Sequence, residues 1–121
     1  MNILLVDDNS HIRNSYCEYL ADNGHEVLVA ENGKRGWEIF SVSKGRIELL
    51  LTDLCMPVLD GLELIRRVRE VHTELPIVVM TGYADACDIE AAAAYGAVVL
   101  DKPIDFPKLK DAFARLGVTL K

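Results

Sequence analysis

Basic residues are the minority in this chain: Lys and Arg number 13 against 19 Asp and Glu, a formal net charge of −6. That balance repels the phosphate backbone of nucleic acid, so direct nucleic-acid binding is not expected. Cysteines are few as well. Cys17, Cys55 and Cys87 are odd in number and contain no CxxC pair, which speaks against a disulfide framework and a structural zinc site and points to a reducing cytoplasm. No apolar run approaches the ~20 residues of a membrane-spanning helix. The uncharged start, Met1 to Val6, passes straight into Asp7 and Asp8 without the basic segment or cleavage site of a signal peptide. A soluble protein away from the membrane is the expectation. Repeats, low-complexity segments and linkers are also missing, so residues 1–121 read as one domain around one core.

The chain does have five short apolar runs, Ile3 to Val6, Val27 to Ala30, Leu49 to Leu51, Ile77 to Met80 and Ala97 to Leu100. Near-continuous Val, Ile and Leu is what parallel strands covered on both faces require. Between them the apolar spacing turns helical: Ile12, Tyr16, Tyr19 and Leu20, then Trp37 and Phe40, then Leu62, Ile65 and Val68, and last Leu109, Ala112, Phe113 and Leu116. The fourth helical segment, Asp85 to Tyr95, is rich in alanine and has only the thin stripe Ile89, Ala92 and Ala93, so it should pack lightly and be able to shift. Gly24 and Gly96 fall where left-handed helix caps belong, Pro76 opens a strand and Pro107 opens a helix. Strand and helix alternate five times, which with right-handed crossovers gives an α/β, doubly wound parallel sheet of five strands.

In such sheets ligands bind beyond the carboxyl ends of the strands, near the point where strand order reverses. Four of the five ends carry chemistry: Asp7 and Asp8 after the first, Asp53 after the third, Thr81 after the fourth, Lys102 and Pro103 after the fifth. The second offers only Ala30 and Glu31, as an edge strand would in the order 2-1-3-4-5. Three carboxylates brought together repel one another, and a hard divalent cation, Mg2+ or Mn2+, resolves the conflict through oxygen ligands. Lys102 adds a mobile point charge and Thr81 a hydroxyl donor. Together they make a pocket for a tetrahedral anion, with Asp53 as the nucleophile that receives it. Taken singly these signals are weak, since a DD pair is commonly a helix cap and Lys-Pro a loop start.

Their conjunction carries the weight. VDD at Val6 to Asp8, TDLCMPVLDG at Thr52 to Gly61, MTGYA at Met80 to Ala84 and DKP at Asp101 to Pro103 closely resemble the response-regulator receiver family, and the resemblance runs from Met1 into the final helix. It implies a flavodoxin-like (βα)5 fold. It implies further that Asp53 is the phosphoacceptor, that Asp8 and Asp53 bind magnesium by side chain, that Asp7 acts mostly through water and that the Cys55 backbone carbonyl completes the metal site. Thr81 would hydrogen-bond the phosphoryl oxygen and Lys102 pair with it. Met56, Pro57 and Gly61 would shape the acceptor loop, and Pro103 would follow a cis bond. The implied partners are a sensor histidine kinase or histidine phosphotransfer protein. Downstream, a target protein or output domain would meet the fourth helix, fifth strand and fifth helix, and pairing with a second copy is left open.

Two positions depart from the family pattern. The usual aromatic three residues before the lysine is Val99, and Tyr83 reads better as an exposed loop residue than as its substitute. Cys55 cannot orient water as an amide or carboxylate would, so a long-lived acyl phosphate is expected. His11, His25 and His72 lack metal-ligand spacing and read as surface residues, Arg66, Arg67 and Arg69 as a solvated helix face, and Trp37 and Phe40 as core. Competing functions fit less well. A haloacid-dehalogenase-type phosphatase wants a second Asp where Cys55 stands. A flavodoxin-like electron carrier wants a phosphate loop where Asp7 and Asp8 stand. A degenerate receiver serving only as a protein-binding module would have lost acceptor, metal or lysine residues.

Overall fold

The computed structural model describes residues 1–43, 45–54, 56, 59–82, 86–102 and 105–117, with the backbone alone for Ala86 and Cys87. Strand and helix alternate: β1 (Asn2–Val6), α1 (Ser10–Asp22), β2 (Glu26–Ala30), α2 (Gly33–Ser43), β3 (Leu49–Asp53), α3 (Gly61–Val71), β4 (Ile77–Thr81), α4 (Ala86–Ala94), β5 (Val98–Asp101) and α5 (Phe106–Arg115). The strands form one parallel sheet in the order β2-β1-β3-β4-β5. Its register sets Val6 beside Thr52, Asp53 beside Met80 and Thr81 beside Asp101.

Side chains alternate across the pleat, and each face of the sheet closes its own half of the core. Leu4, Val6, Leu50, Ile77 and Val79 pack under α2, α3 and α4, where Phe40, Leu64, Ile65, Val68 and Ala92 meet them. Ile3, Leu5, Leu49, Leu51, Val78 and Met80 face α1 and α5, against Tyr16, Leu20, Leu109 and Phe113. The glycine caps stand as the sequence implies, Gly24 and Gly96 having φ of 87° and 83°. Asp60 caps α3 by accepting from the Glu63 N–H at 2.9 Å, and Asp105 caps α5 in the same way from Lys108. No helix among the described residues is long and apolar enough to cross a membrane.

Several expectations need correction. β2 is not covered on both faces: Leu28 and Val29 are 42% and 43% exposed, because an edge strand receives less cover from the flanking helices than a central one. β3, β4 and β5 run on to Asp53, Thr81 and Asp101, since backbone pairing continues past the last apolar side chain. Trp37 packs against the core from a half-buried position, with Arg67 above its ring, whereas Phe40 is fully enclosed. His25 is half-buried, its Nδ1 3.3 Å from the chain's amino terminus. Arg69 leaves the solvated face that Arg66 occupies. Its Nε donates to the Tyr95 carbonyl at 2.7 Å and its Nη1 to the His72 carbonyl at 3.2 Å, so one half-buried guanidinium joins the C-terminal ends of α3 and α4. Burial holds its pKa below the usual arginine value.

Candidate functional site

Parallel strands end on one edge of the sheet, and there the ends of β1, β3, β4 and β5 deliver five polar side chains to one place. Asp7, Asp53 and Thr81 are buried, at 0%, 5% and 3% exposure, while Asp8 is exposed. One carboxylate oxygen from each of Asp7, Asp8 and Asp53 lies within 4.8 Å of the others. Lys102 enters from the end of β5, its Nζ 3.0 Å from Asp53 Oδ2 and 3.4 Å from Asp7 Oδ2. Its backbone is tied to the adjoining strand, where the Lys102 N–H donates to the Thr81 carbonyl at 2.7 Å.

The second carboxylate oxygens also have donors. Asp53 Oδ1 accepts from the Leu54 N–H at 2.7 Å, and Asp7 Oδ1 accepts from the Asn9 N–H at 2.8 Å. Asn9 in turn caps α1 by accepting from the N–H groups of His11 and Ile12. Arg13, one turn into that helix, reaches back and donates from Nη1 to the Asp7 carbonyl at 2.7 Å. The chain after β3 is held by close backbone approach. The Gly61 N–H donates to the Leu54 carbonyl at 2.8 Å, and a Cβ on Gly61 would overlap the Asp53 carbonyl oxygen.

Burial pushes the Asp53 pKa above the ordinary carboxylate value. The hydrogen bond and charge of Lys102 oppose the shift without cancelling it, and the charge of Asp7 adds to it. For Lys102, burial acts to lower the pKa, but its bond to Asp53 and the charges of Asp53 and Asp7 outweigh burial and leave it raised. A carboxyl whose folded pKa is raised stabilises the fold below its unfolded value of about 4, and that contribution is lost as pH rises through the folded value. Asp53→Asn should therefore gain stability relative to the wild type between pH 4 and pH 7 in chelator. Urea unfolding at the two pH values measures this, and a constant difference would refute it.

Of the residues singled out in the sequence, Asp7, Asp8, Asp53, Thr81 and Lys102 converge on this edge. Met56 is buried in the core under α2 and α3, Gly61 opens α3, and Val99 is half-buried against the same core. Cys55, Pro57, Tyr83 and Pro103 lie outside the described residues. His11 and His72 are exposed as expected. Asn9 and Arg13 were not anticipated. Their roles run through a backbone amide and a backbone carbonyl, and no residue pattern in a single sequence announces such bonds.

The chain and its fold have known counterparts. The family model of the response regulator receiver domain matches residues 3–114, and the chain belongs to that family. It is 32% identical over 111 residues to sporulation initiation phosphotransferase F of Bacillus subtilis, covering 91% of this chain and 88% of that protein. It is 36% identical over 109 residues to a response regulator receiver protein of Anaeromyxobacter, covering 89% of this chain and 45% of that one. The chain likewise spans 51% of the response regulator MprA of Mycobacterium leprae, at 35% identity over its whole length, so it covers about half the length of several curated relatives. Among solved structures, a receiver domain of Clostridium thermocellum superposes with a TM-score of 0.88 at 29% identity, covering 95% of this chain and 92% of that one. The chemotaxis protein CheY4 of Vibrio cholerae superposes with a TM-score of 0.84 at 29% identity, covering 95% of this chain and 97% of that one.

Proposed function

We propose that residues 1–121 form one receiver domain that accepts a phosphoryl group on Asp53 from a sensor histidine kinase or a histidine phosphotransfer protein, within two-component signalling in the cytoplasm. The observation that carries this reading is the buried Asp53 carboxylate, held between the Leu54 N–H and the Lys102 ammonium and flanked by two further carboxylates. An Asp53 oxygen attacks the phosphorus of a phosphohistidine, forming a P–O bond as the P–N bond breaks, and the departing imidazole takes up a proton. Lys102 and Thr81 then bind the phosphoryl oxygens.

The donor set, all carboxylate oxygen, fits Mg2+ or Mn2+ rather than a softer metal. By the family resemblance, Asp8, which is exposed, and Asp53, which is buried, would hold the ion together with the Cys55 carbonyl, while Asp7 acts mostly through water. When bound, such an ion offsets the clustered negative charge and draws phosphoryl oxygens to the site. Shifting a two-state equilibrium from one form to the other needs on the order of 5 kcal/mol. Charge-assisted hydrogen bonds at roughly 1.5 to 3 kcal/mol each let Lys102 and Thr81 supply much of it. Their position at the ends of β5 and β4 directs the change to α4, β5 and α5, the face for a target protein, an output domain or a second copy.

Incubating the protein with Mg2+ and phosphoramidate or acetyl phosphate should add one phosphoryl group, lost on treatment with hydroxylamine and located to the peptide containing Asp53. Absence of any mass gain under these conditions would overturn the reading.

A further inference from the structure

Arg13 sits where a helix does not favour a cation. It is the fourth residue of α1, near the positive end of the helix dipole, and the first turn holds no acidic residue to pair with it. The guanidinium turns back instead and gives a charge-assisted hydrogen bond to the Asp7 carbonyl, 2.7 Å away. That carbonyl belongs to the peptide joining Asp7 to Asp8, so the tilt of the peptide plane also sets the direction in which Asp8 leaves the chain. The rest of Asp7 is already fixed. Its N–H donates to the Ala30 carbonyl at 3.1 Å, Oδ1 accepts from Asn9 at 2.8 Å, and Oδ2 faces Lys102 at 3.4 Å. Among the described residues no such frame holds Asp8: it is exposed, yet one of its oxygens stays within 4.8 Å of those of Asp7 and Asp53.

We propose that Arg13 is a positioning residue for divalent-cation binding, its guanidinium holding the Asp7–Asp8 peptide so that the Asp8 carboxylate faces Asp53; this rests on the cation site proposed above. Charge and positioning predict opposite signs here. Removing a positive charge beside three carboxylates would by itself tighten the binding of a dication. Releasing the peptide would weaken it, as the loss of a residue that orients a metal ligand does.

The experiment titrates Mg2+ alone into the wild type, Arg13→Met and Arg13→Lys by calorimetry, at low and at moderate salt, after thermal melts in chelator have checked folding. Arg13→Met should raise the Mg2+ dissociation constant about tenfold at both salt concentrations. Arg13→Lys, which keeps the charge but has a shorter reach and one compact donor group, should fall between it and the wild type. With Asp8→Asn already in place, Arg13→Met should add little further loss, because the carboxylate it orients is gone. Binding by Arg13→Met as tight as that of the wild type, or tighter, overturns the proposal, as does a fully additive loss in the double variant. Where Arg13→Met does not fold, wild-type affinity in Arg13→Lys overturns it and weakened affinity supports it. A wild type that binds no Mg2+ would remove the cation site itself, a separate result from a wild type that binds and an Arg13→Met that binds equally.

Discussion

Asp53→Asn is expected to cut phosphoryl transfer from acetyl phosphate by at least about a thousandfold, which corresponds to about 4 kcal/mol in the barrier. The amide is nearly isosteric with the carboxylate, so the strand and the Leu54 contact can be kept while the nucleophilic oxygen is lost. Neither neighbouring carboxylate is placed to take over. Asp7 is fully buried, with one oxygen accepting from the Asn9 N–H and the other facing Lys102. Asp8 is exposed, and among the described residues no bond joins it to Lys102, so charge developing on a phosphoryl group there would lack that cation. Intact-mass measurement after incubation with Mg2+ and acetyl phosphate decides the matter. Labelling of Asp53→Asn at the wild-type rate would show that the acceptor lies elsewhere.

Gly61→Ala should destabilise the protein by about 3 kcal/mol, at the upper end for overpacking a filled site, and lower the midpoint of thermal unfolding by on the order of 10 °C. Glycine to alanine at the first turn of a helix ordinarily gains stability, by up to ~1 kcal/mol, through the unfolded chain. Here the sign reverses, because the added methyl group would overlap the Asp53 carbonyl oxygen and crowd the Leu54 Cα, both backbone atoms that no rotamer change can move. Retreat of α3 would relieve the overlap only by lengthening the bond from Gly61 to the Leu54 carbonyl, now 2.8 Å, and by lifting Leu64, Ile65 and Val68 from the core. Calorimetric unfolding of the two proteins in chelator measures the difference, and equal or higher stability in Gly61→Ala would refute the close approach.

Much of this arrangement is legible in the amino-acid sequence because parallel strands end in register on one edge. Asp7, Asp53, Thr81 and Lys102 each follow or close an apolar run, so placing the runs also places the side chains. The order of the strands follows the same logic, since the one chemically blank end, at Ala30, belongs to β2, the edge strand that lies beyond β1, away from the switch point between β1 and β3. Burial at that margin was not legible. Val27 to Ala30 is as apolar as a central run, yet Leu28 and Val29 remain exposed, because cover depends on neighbours and not on the strand's own residues. The same limit applies to Arg69, which by spacing shares a face with charged residues but bonds a carbonyl 26 positions along the chain. Arg13 and Asn9 act on backbone atoms of Asp7, and that dependence appears only once the turn between β1 and α1 has a shape.

Arg69 anchors α4 at its C-terminal end. Tyr95 and His72 precede β5 and β4, so the guanidinium that bonds their carbonyls grips the helix at the sheet edge opposite the carboxylates. Carbonyl oxygens neither titrate nor exchange counter-ions, and this grip persists through changes of acidity that reset the charges around Asp53. The helix then runs back along the sheet toward Thr81, with Ala92 its one fully buried side chain among those described. The C-terminal end of α4 is thus tied to the end of α3 by bonds that do not depend on the charge state at Asp53.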